Sequence, residues 1–387
     1  MAGDAALGGL TAPPITADAW TIAPAQPEDD DAVRALLRRS VIPGAVRMAF
    51  TREPSDAAAA GLAGSADINL VARRRDVVVG LGRCSIHQAY RNGALQRVGY
   101  LSALRVLPGT PSSARLLRDG YAMLADAASE VGVDGFVTAI ASDNLRARRV
   151  LEHGHRFGLP TYRGVASLVT LVAPVARGWR TGSHATDDAP VEASPGQGAD
   201  AEERTAFLQA HAPHAQLTLS WDAARWTSLA RHGVTPADVI FVRRNGRLVA
   251  AAAIWDQRMF RQTIIDGYEG VLRAWRPAVN ALQRVRRLPP LPAPGATLAQ
   301  GALLGVTVPD VRDWPALWAL LQRRARASAL DWLVLTRDAR DPQLSALERM
   351  TRARRYETTL YDVSWRDRPS WGDGWDGRTF APEAGLL

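Results

Sequence analysis

Gly99-Tyr100-Leu101-Ser102-Ala103-Leu104-Arg105-Val106-Leu107-Pro108-Gly109-Thr110-Pro111-Ser112-Ser113-Ala114-Arg115 is the stretch that decides how this chain is read. Its first part belongs to a strand expected over Val98 to Leu107, apolar on both faces with Arg105 as the main exception. That is the pattern of a strand buried in the middle of a sheet. The pattern breaks at Pro108-Gly109, and a helix follows. The connecting loop, Pro108 to Arg115, holds no carboxylate, two serines near the start of the helix and one Arg. A helix N-terminus presents free N–H groups and a partial positive charge. A loop of this composition there is a cradle for a phosphate or pyrophosphate.

Reading outward, Trp20 to Ala25 is expected to be a short strand. Val33, Leu36 and Leu37 mark one face of a helix with an acidic first turn, which suits the helix dipole. Thr51-Arg52-Glu53-Pro54 reads as an irregular link. Ile68 to Val71 and Val77 to His87 read as strands around an Arg/Asp turn, and Asn92-Gly93 as a second hairpin turn leading into the central strand. Past the loop, Leu117, Tyr121, Leu124, Ala128 and Val131 recur at helical spacing. Phe136 to Ala141 is a short apolar strand. Asn144 caps a helix through about Glu152, and Tyr162 with Val165 to Val172 supplies a closing strand.

With 387 residues, 47% of them hydrophobic, the chain has length and apolar surface for two packed domains. The expected organisation is a loose tail over 1–19, a first domain over 20–174, a linker over 175–204 rich in small and polar residues, a second domain over 205–366, and a C-terminal tail over 367–387. The second half echoes the first. Val71-Ala72-Arg73-Arg74 matches Val242-Arg243-Arg244, and Asp134-Gly135-Phe136-Val137 matches Asp331-Trp332-Leu333-Val334. The longer spacing in the second half fits an insertion around Asp266 to Pro294. Val239 to Arg244, Asn245-Gly246 and Leu248 to Trp255 form a hairpin signal. Ala302 to Val308 stands where the central strand would recur, but it leads into Pro309-Asp310-Val311-Arg312-Asp313-Trp314, whose carboxylates repel an anion. No coenzyme is expected there. Trp255, Trp314, Trp318 and Trp332 are expected in the core of this half, with other Trp residues left for an acceptor wall or a dimer contact.

Net charge is +8, and all 47 basic residues are Arg, the side chain best suited to bidentate phosphate contact. The balance favours an anionic ligand. The Arg residues are scattered among acids rather than interleaved with aromatics, which argues against nucleic acid. No apolar run reaches membrane-spanning length. The single cysteine, Cys84, reads as a core residue, and one cysteine with no secretory leader fits a bacterial cytoplasmic protein. Seven His and one Cys show no metal-ligand spacing, so no metal is expected.

The order of elements over about 20–174 resembles the Gcn5-related N-acetyltransferase family, and the second half is similar in layout. The residues that carry the resemblance are Gly99 to Pro108, like the family's central strand entering its pyrophosphate loop, and Asp143-Asn144-Leu145-Arg146-Ala147-Arg148-Arg149-Val150-Leu151, like its last helix. The resemblance implies an α/β fold, a mixed sheet flanked by helices in two tandem acyl-CoA N-acyltransferase-like domains, the second degenerate. It implies acetyl-CoA as donor and direct attack by an amine. It places the cofactor on backbone groups of Leu104, Arg105 and Val106, on the loop residues Gly109, Thr110, Ser112, Ser113, Ala114 and Arg115, and near Asn144 and Arg146. Three family features are missing. The loop lacks the family's Gly pair, Leu151 stands where the family often has an acidic Tyr, and Ser102 and Ala103 stand where many members carry a basic carboxylate.

Amine acylation needs a positioned thioester, removal of a proton and stabilisation of a developing negative charge. A water chain ending at His87, Asp143 or Glu53 would take the proton. His87 has the appropriate intrinsic pKa, Asp143 shares the helix start with Asn144, and Tyr162 is the candidate proton donor to the leaving thiolate. The expected function is acyl transfer from acetyl-CoA to a small-molecule or peptide amine. The alternative is an acyl-CoA-binding scaffold that has lost turnover.

Overall fold

The computed structural model describes residues 20–59, 61, 66–110, 113–177, 199–366, 371 and 374–387. The first half runs β1 (Thr21–Pro24), α1 (Asp30–Arg39), β2 (Val46–Thr51), β3 (Ala66–Arg74), β4 (Val77–Arg91), β5 (Ala94–Val106), α2 (Ser113–Glu130), β6 (Gly135–Ala141), α3 (Leu145–Glu152) and β7 (Thr161–Pro174). The second half runs α4 (Ala199–His211), α5 (Ala223–Arg231), β8 (Ile240–Arg244), β9 (Arg247–Trp255), β10 (Gln262–Tyr268), α6 (Gly270–Val285), β11 (Gln300–Thr307), α7 (Trp314–Ala327), β12 (Trp332–Asp338), α8 (Leu344–Thr351) and β13 (Arg354–Ser364).

Eleven strands form one mixed sheet in the order β1-β3-β4-β5-β6-β13-β7-β12-β11-β9-β8. From the β13–β7 centre outward the order is a palindrome, with β6 matching β12, β5 matching β11, β4 matching β9 and β3 matching β8. The final strand of each half lies beside the other half. β13 pairs with β6 on one side and with β7 on the other, and β7 also pairs with β12. The β7–β13 ladder runs the whole length of β13, from Arg354–Val172 to Ser364–Thr161. The two halves therefore share one sheet. A second, two-stranded sheet joins β2 to β10, tied by an ion pair between Arg47 and Asp266.

The sequence echo has a structural counterpart. The Asp134 N–H donates to the Arg97 carbonyl at 2.9 Å, and the Asp331 N–H donates to the Ala299 carbonyl at 2.8 Å. Each contact opens a short parallel ladder of three pairs, Val98–Gly135 to Tyr100–Val137 and Gln300–Trp332 to Ala302–Val334. Gly99 lies within the first ladder, where a Cβ would come within 2.6 Å of the Phe136 ring and 2.9 Å of Cys84 Sγ. Gly301 lies at the matching place in the second, where a Cβ would come within 2.6 Å of Ile254.

Helix α2 covers one face of the first half. Tyr121, Leu124 and Ala128 pack on Cys84, Ile86, Leu101 and Phe136. Helix α7 does the same in the second half, with Leu317 and Leu321 against Leu171 and Leu303. Trp255, Trp314, Trp318 and Trp332 are buried as expected, and so is Cys84.

Several expectations are corrected. Thr51 ends β2 rather than opening an irregular link, and the insertion expected around Asp266 to Pro294 takes in the end of β10 as well as the expected helix α6. The stretch expected as a linker lies mostly outside the described residues, but its last part is the start of α4. The C-terminal stretch is no loose tail. Trp371 and Phe380 are buried, the Phe380 N–H donates to Asp338 at 3.0 Å, and the Arg91 guanidinium lies 5.1 Å from the Trp371 ring centre. The expected N-terminal tail, 1–19, lies outside the described residues. No described helix is long and apolar enough to cross a membrane.

Because β13 stands between β6 and β7, a chain truncated after residue 198 leaves both with an open edge. It is expected to lack the cooperative denaturant transition of the full chain, as followed by tryptophan fluorescence. Gly99→Ala overpacks the β5–β6 seam and is expected to cost about 1–3 kcal/mol in the same measurement.

Candidate functional site

The β5–β6 ladder ends at Tyr100–Val137, although β5 continues to Val106. The Thr138 hydroxyl closes the seam by donating to the Leu101 carbonyl at 2.7 Å. Beyond it the strands part. The edge of β5 from Ser102 to Val106 has no strand neighbour on that side among the described residues. At the mouth of this cleft the register with β4 steps from Arg83–Ser102 to Leu81–Arg105, leaving Ala103 and Leu104 opposite Gly82. This is a β-bulge, and Ala103 adopts a left-handed conformation with φ 51°. An L-residue in that region is strained, a feature that concentrates at functional sites.

The second half repeats the feature. β11 and β12 part after Ala302–Val334, the β9–β11 register steps from Leu304–Ala253 to Thr307–Ala251, and Gly305 has φ 62°. Each bulge lies five residues beyond the first pair of its parallel ladder. The second cleft is filled. The Gly305 N–H donates to both carboxylate oxygens of Glu383, each at 3.1 Å. Burial pushes Glu383 up to about 7, against the pull of that N–H and of Arg337 and Arg225. The helix that follows β11 begins with its own acids. Asp310 accepts from the Arg312 N–H, and Asp313 is buried against Arg244.

In the first half, the turn after β5 uses Gly109 at φ 80°, a conformation suited to glycine. The Thr110 hydroxyl donates to the Leu107 carbonyl at 2.8 Å, so it ties the turn. Ser112 lies outside the described residues. Ser113 opens α2, and Ser113, Ala114 and Arg115 are exposed. The first turn of α2 holds no acid. Among the described residues Arg115 pairs only with Asp119, at 3.6 Å. Leu104, Arg105 and Val106 are half-buried along the open edge, and Arg105 donates to the Leu104 carbonyl at 2.9 Å. Asn144 accepts from the Ala147 N–H at 3.2 Å and caps α3, and Arg146 is exposed.

The three candidate catalytic residues are not brought together. Asp143 is exposed at the start of α3. Tyr162 is buried in an aromatic cluster, its hydroxyl 2.5 Å from that of Tyr121, and burial with this contact raises its pKa well above the usual value. That arrangement is packing and corrects the proton-donor expectation. Glu53 is bound by Arg34 and Arg38. His87 alone faces a cavity. It is buried, its Nδ1 has no hydrogen-bond partner among the described residues, and burial together with Arg225 pushes its pKa down to about 3.

That cavity lies beside the bulge and is lined by Arg52, Ser85, His87, Ser102 and Arg261, with Gly385 to Leu387 forming one wall. The register explains the polar lining. Arg83, Ser85 and His87 alternate along β4, so they share the face opposite Cys84 and Ile86. Sequence reading passed over this alternation because the run is apolar on average. Arg261 and Glu383 carry no local signal, since both reach the site from distant segments. Among the described residues no cluster of three or more His, Cys, Asp or Glu is suited to a metal.

No family profile matches the sequence, and no curated protein does. Solved structures do match in shape. Saccharomyces cerevisiae N-myristoyltransferase with bound myristoyl-CoA aligns with a TM-score of 0.55 and 10% identity over 97% of this chain and 91% of that one. A Gcn5-related glucosamine N-acetyltransferase region of a fungal multi-domain β-N-acetylglucosaminidase aligns with a TM-score of 0.55 and 15% identity over 89% of this chain. This chain spans 38% of that fungal protein. The fold is of the Gcn5-related N-acetyltransferase type.

The His87 environment sets a pH signature. Between about 6.5 and 3 the unfolded state holds more protons at this residue than the folded state. Its contribution to stability is therefore present above pH 6.5 and lost as pH falls toward 3, at up to about 1.4 kcal/mol per pH unit. His87→Gln is expected to flatten the acid limb of the unfolding free energy, and the His87 ring resonances in NMR are expected not to titrate between pH 5 and 8.

Proposed function

We propose that this chain is an acyltransferase that moves a short acyl group from acyl-coenzyme A, acetyl-CoA in the simplest case, to an amine. The observation that carries the reading is the paired bulge. In the second half, the bulge N–H of Gly305 holds two carboxylate oxygens. At the same bulge in the first half, no Asp or Glu side chain takes the Ala103 N–H among the described residues. An N–H fixed in this place stabilises negative charge developing on an acyl oxygen. The fold, shared with acyltransferases, supports the same reading.

The residues of the first cleft fit a coenzyme of this class. The open edge at Leu104, Arg105 and Val106 offers backbone groups to an extended amide-bearing arm. The start of α2, eighteen residues long and free of acid in its first turn, offers N–H groups and positive potential to a pyrophosphate, with Ser113 and Arg115 beside it. When bound, the coenzyme supplies an activated acyl carbon. The chain supplies position, and holding two reactants in line is itself worth several kcal/mol of barrier.

The amine enters from the cavity at Ser102. Its proton meets a neutral His87 and the guanidinium groups of Arg52, Arg83 and Arg261. His87, with a pKa near 3, accepts a hydrogen bond but does not retain the proton, which passes to solvent. Arg52, Arg83 and Arg261 disfavour an ammonium beside them, so the acceptor reacts as the free amine.

Acetyl-CoA is expected to raise the melting temperature of the full chain by several degrees, since a ligand at 100 times its Kd adds about 2.7 kcal/mol. Ser113→Asp places a carboxylate in the first turn of α2, which favours the helix and repels the pyrophosphate. It is expected to leave the unliganded melting temperature unchanged or raised while removing the shift. No shift at saturating acetyl-CoA would overturn the reading, and a shift without thiol release on any amine would leave an acyl-CoA-binding scaffold.

A further inference from the structure

Helix α6 turns most of its apolar surface away from the body of the protein. Leu272 and Val279 pack toward Ile265, Tyr268 and Leu291, yet none of the sixteen residues of the helix is buried. Val271 is 75% exposed, Trp275 62%, Leu282 49% and Val285 82%. These are four of the eleven large apolar side chains exposed among the described residues, so hydrophobic surface is concentrated here rather than scattered. With Ala278, also exposed, they recur at steps of four, three, four and three. At about 100° per residue, that spacing confines the five to an arc of about 80° along one side of the helix. A seven-residue apolar repeat of this kind is the seam by which one helix packs on another.

The seam is self-complementary about Ala278. A second α6 turned end for end sets Ala278 against its own copy, Trp275 against Ala281, Leu282 against Ala274, and Val271 against Val285. The two bulkiest side chains each meet an Ala, and the Val pairs close the ends. Charge selects the same direction. From Gly270 to Arg287 there are five Arg and no acid. In a parallel pair every Arg would stand level with its own copy. In the antiparallel pair Arg273 is level with Gln283, Arg276 with Asn280, Arg284 with Leu272 and Arg286 with Gly270. Arg287 is level with Glu269, the acid that precedes the helix.

We propose that this stripe is a dimer interface, in which two copies of the chain pair antiparallel through α6 with the two-fold axis at Ala278. The same patch serves both chains, so the contact closes at two. Trp275 then fills the dimer-contact role that the sequence left for a Trp outside the core. A lipid surface matches the helix less well. Arg273 and Arg284 stand roughly 140–160° round the helix from the stripe. Arg276 is turned inward, 5.5 Å from the Tyr268 ring centre and donating to the Leu291 carbonyl at 3.3 Å. The cations are therefore not gathered along the edges of the apolar arc, where they would meet headgroups.

The test uses the full chain. Sedimentation at micromolar concentration is expected to give twice the 41.8 kDa of one chain. Ala278→Glu sets two like charges against each other at the axis, and is expected to weaken the dimer at least tenfold with the circular dichroism spectrum unchanged. Cross-linking reads the direction of the pair, and the native Cys84 is buried and does not interfere. On mild oxidation Ala278→Cys is expected to give a linked dimer, Val271→Cys alone is expected to give none, and Val271→Cys combined with Val285→Cys is expected to give one. A single chain at that concentration, a dimer that Ala278→Glu leaves intact, or self-linking of Val271→Cys as ready as that of Ala278→Cys would each overturn the assignment. So would a single chain that floats with phosphatidylserine vesicles, which would give the stripe to a membrane. The wild-type mass and the cross-linking pattern decide the matter even if Ala278→Glu fails to fold.

Discussion

The antiparallel ladder between β7 and β13 is the constraint on which the other features depend. It joins the closing strands of the two halves along the whole of β13, with one register step between Leu360 and Tyr361, and places each against the other half's sheet. Neither parting of strands could be held open without it. β6 has β13 on its far side, and β12 has β7, so each is fixed by a long antiparallel ladder on one edge while its other edge needs only three pairs to β5 or β11. The short parallel ladders set the origin of each cleft, and the bulges, five residues on, set its mouth.

From this common scaffold the halves diverge by charge. In the second half Glu383 takes the bulge N–H, and Asp310 and Asp313 sit at the following helix. In the first half no acid lies at the helix start, and Arg52 and Arg261 line the neighbouring cavity. The same backbone is thus kept in two copies, one whose bulge N–H is taken by Glu383 and one whose following helix starts without an acid. The conformation at Ala103 is consistent with that division. Glycine fills the equivalent place in the filled copy and meets the left-handed conformation at no steric cost, whereas the first copy carries the strain.

Much of the first half was legible because its signals are local. The two-faced apolar run of β5, the helical spacing of α2 and the Asn144 cap each follow from short-range physics. The echo at Asp134 and Asp331 was legible because both begin the same contact. What could not be read was which strand lies beside which. The exchange of β7 and β13 depends on pairing across nearly the whole second half, and no local pattern encodes it. The C-terminal stretch looked loose because its Pro, Gly and Asp content hides the few residues, Trp371, Phe380 and Glu383, that enter the core. The cavity was hidden for a related reason. Arg52 and Arg261 are ordinary members of an Arg-rich chain until the fold brings them together, and His87 read as a strand-end residue until the chain's end was seen to cover it.

The place of β13 bears on how the protein is made. A ribosome adds roughly 5–20 residues per second, so roughly ten to forty seconds separate the emergence of β7 from that of β13. During that time the nascent chain holds β6 and β7 with bare edges, the kind of surface that recruits stray strands. Production in the cell is therefore tied to whatever shields those edges while synthesis continues, and slow translation or scarce chaperone would show first as aggregation of unfinished chains.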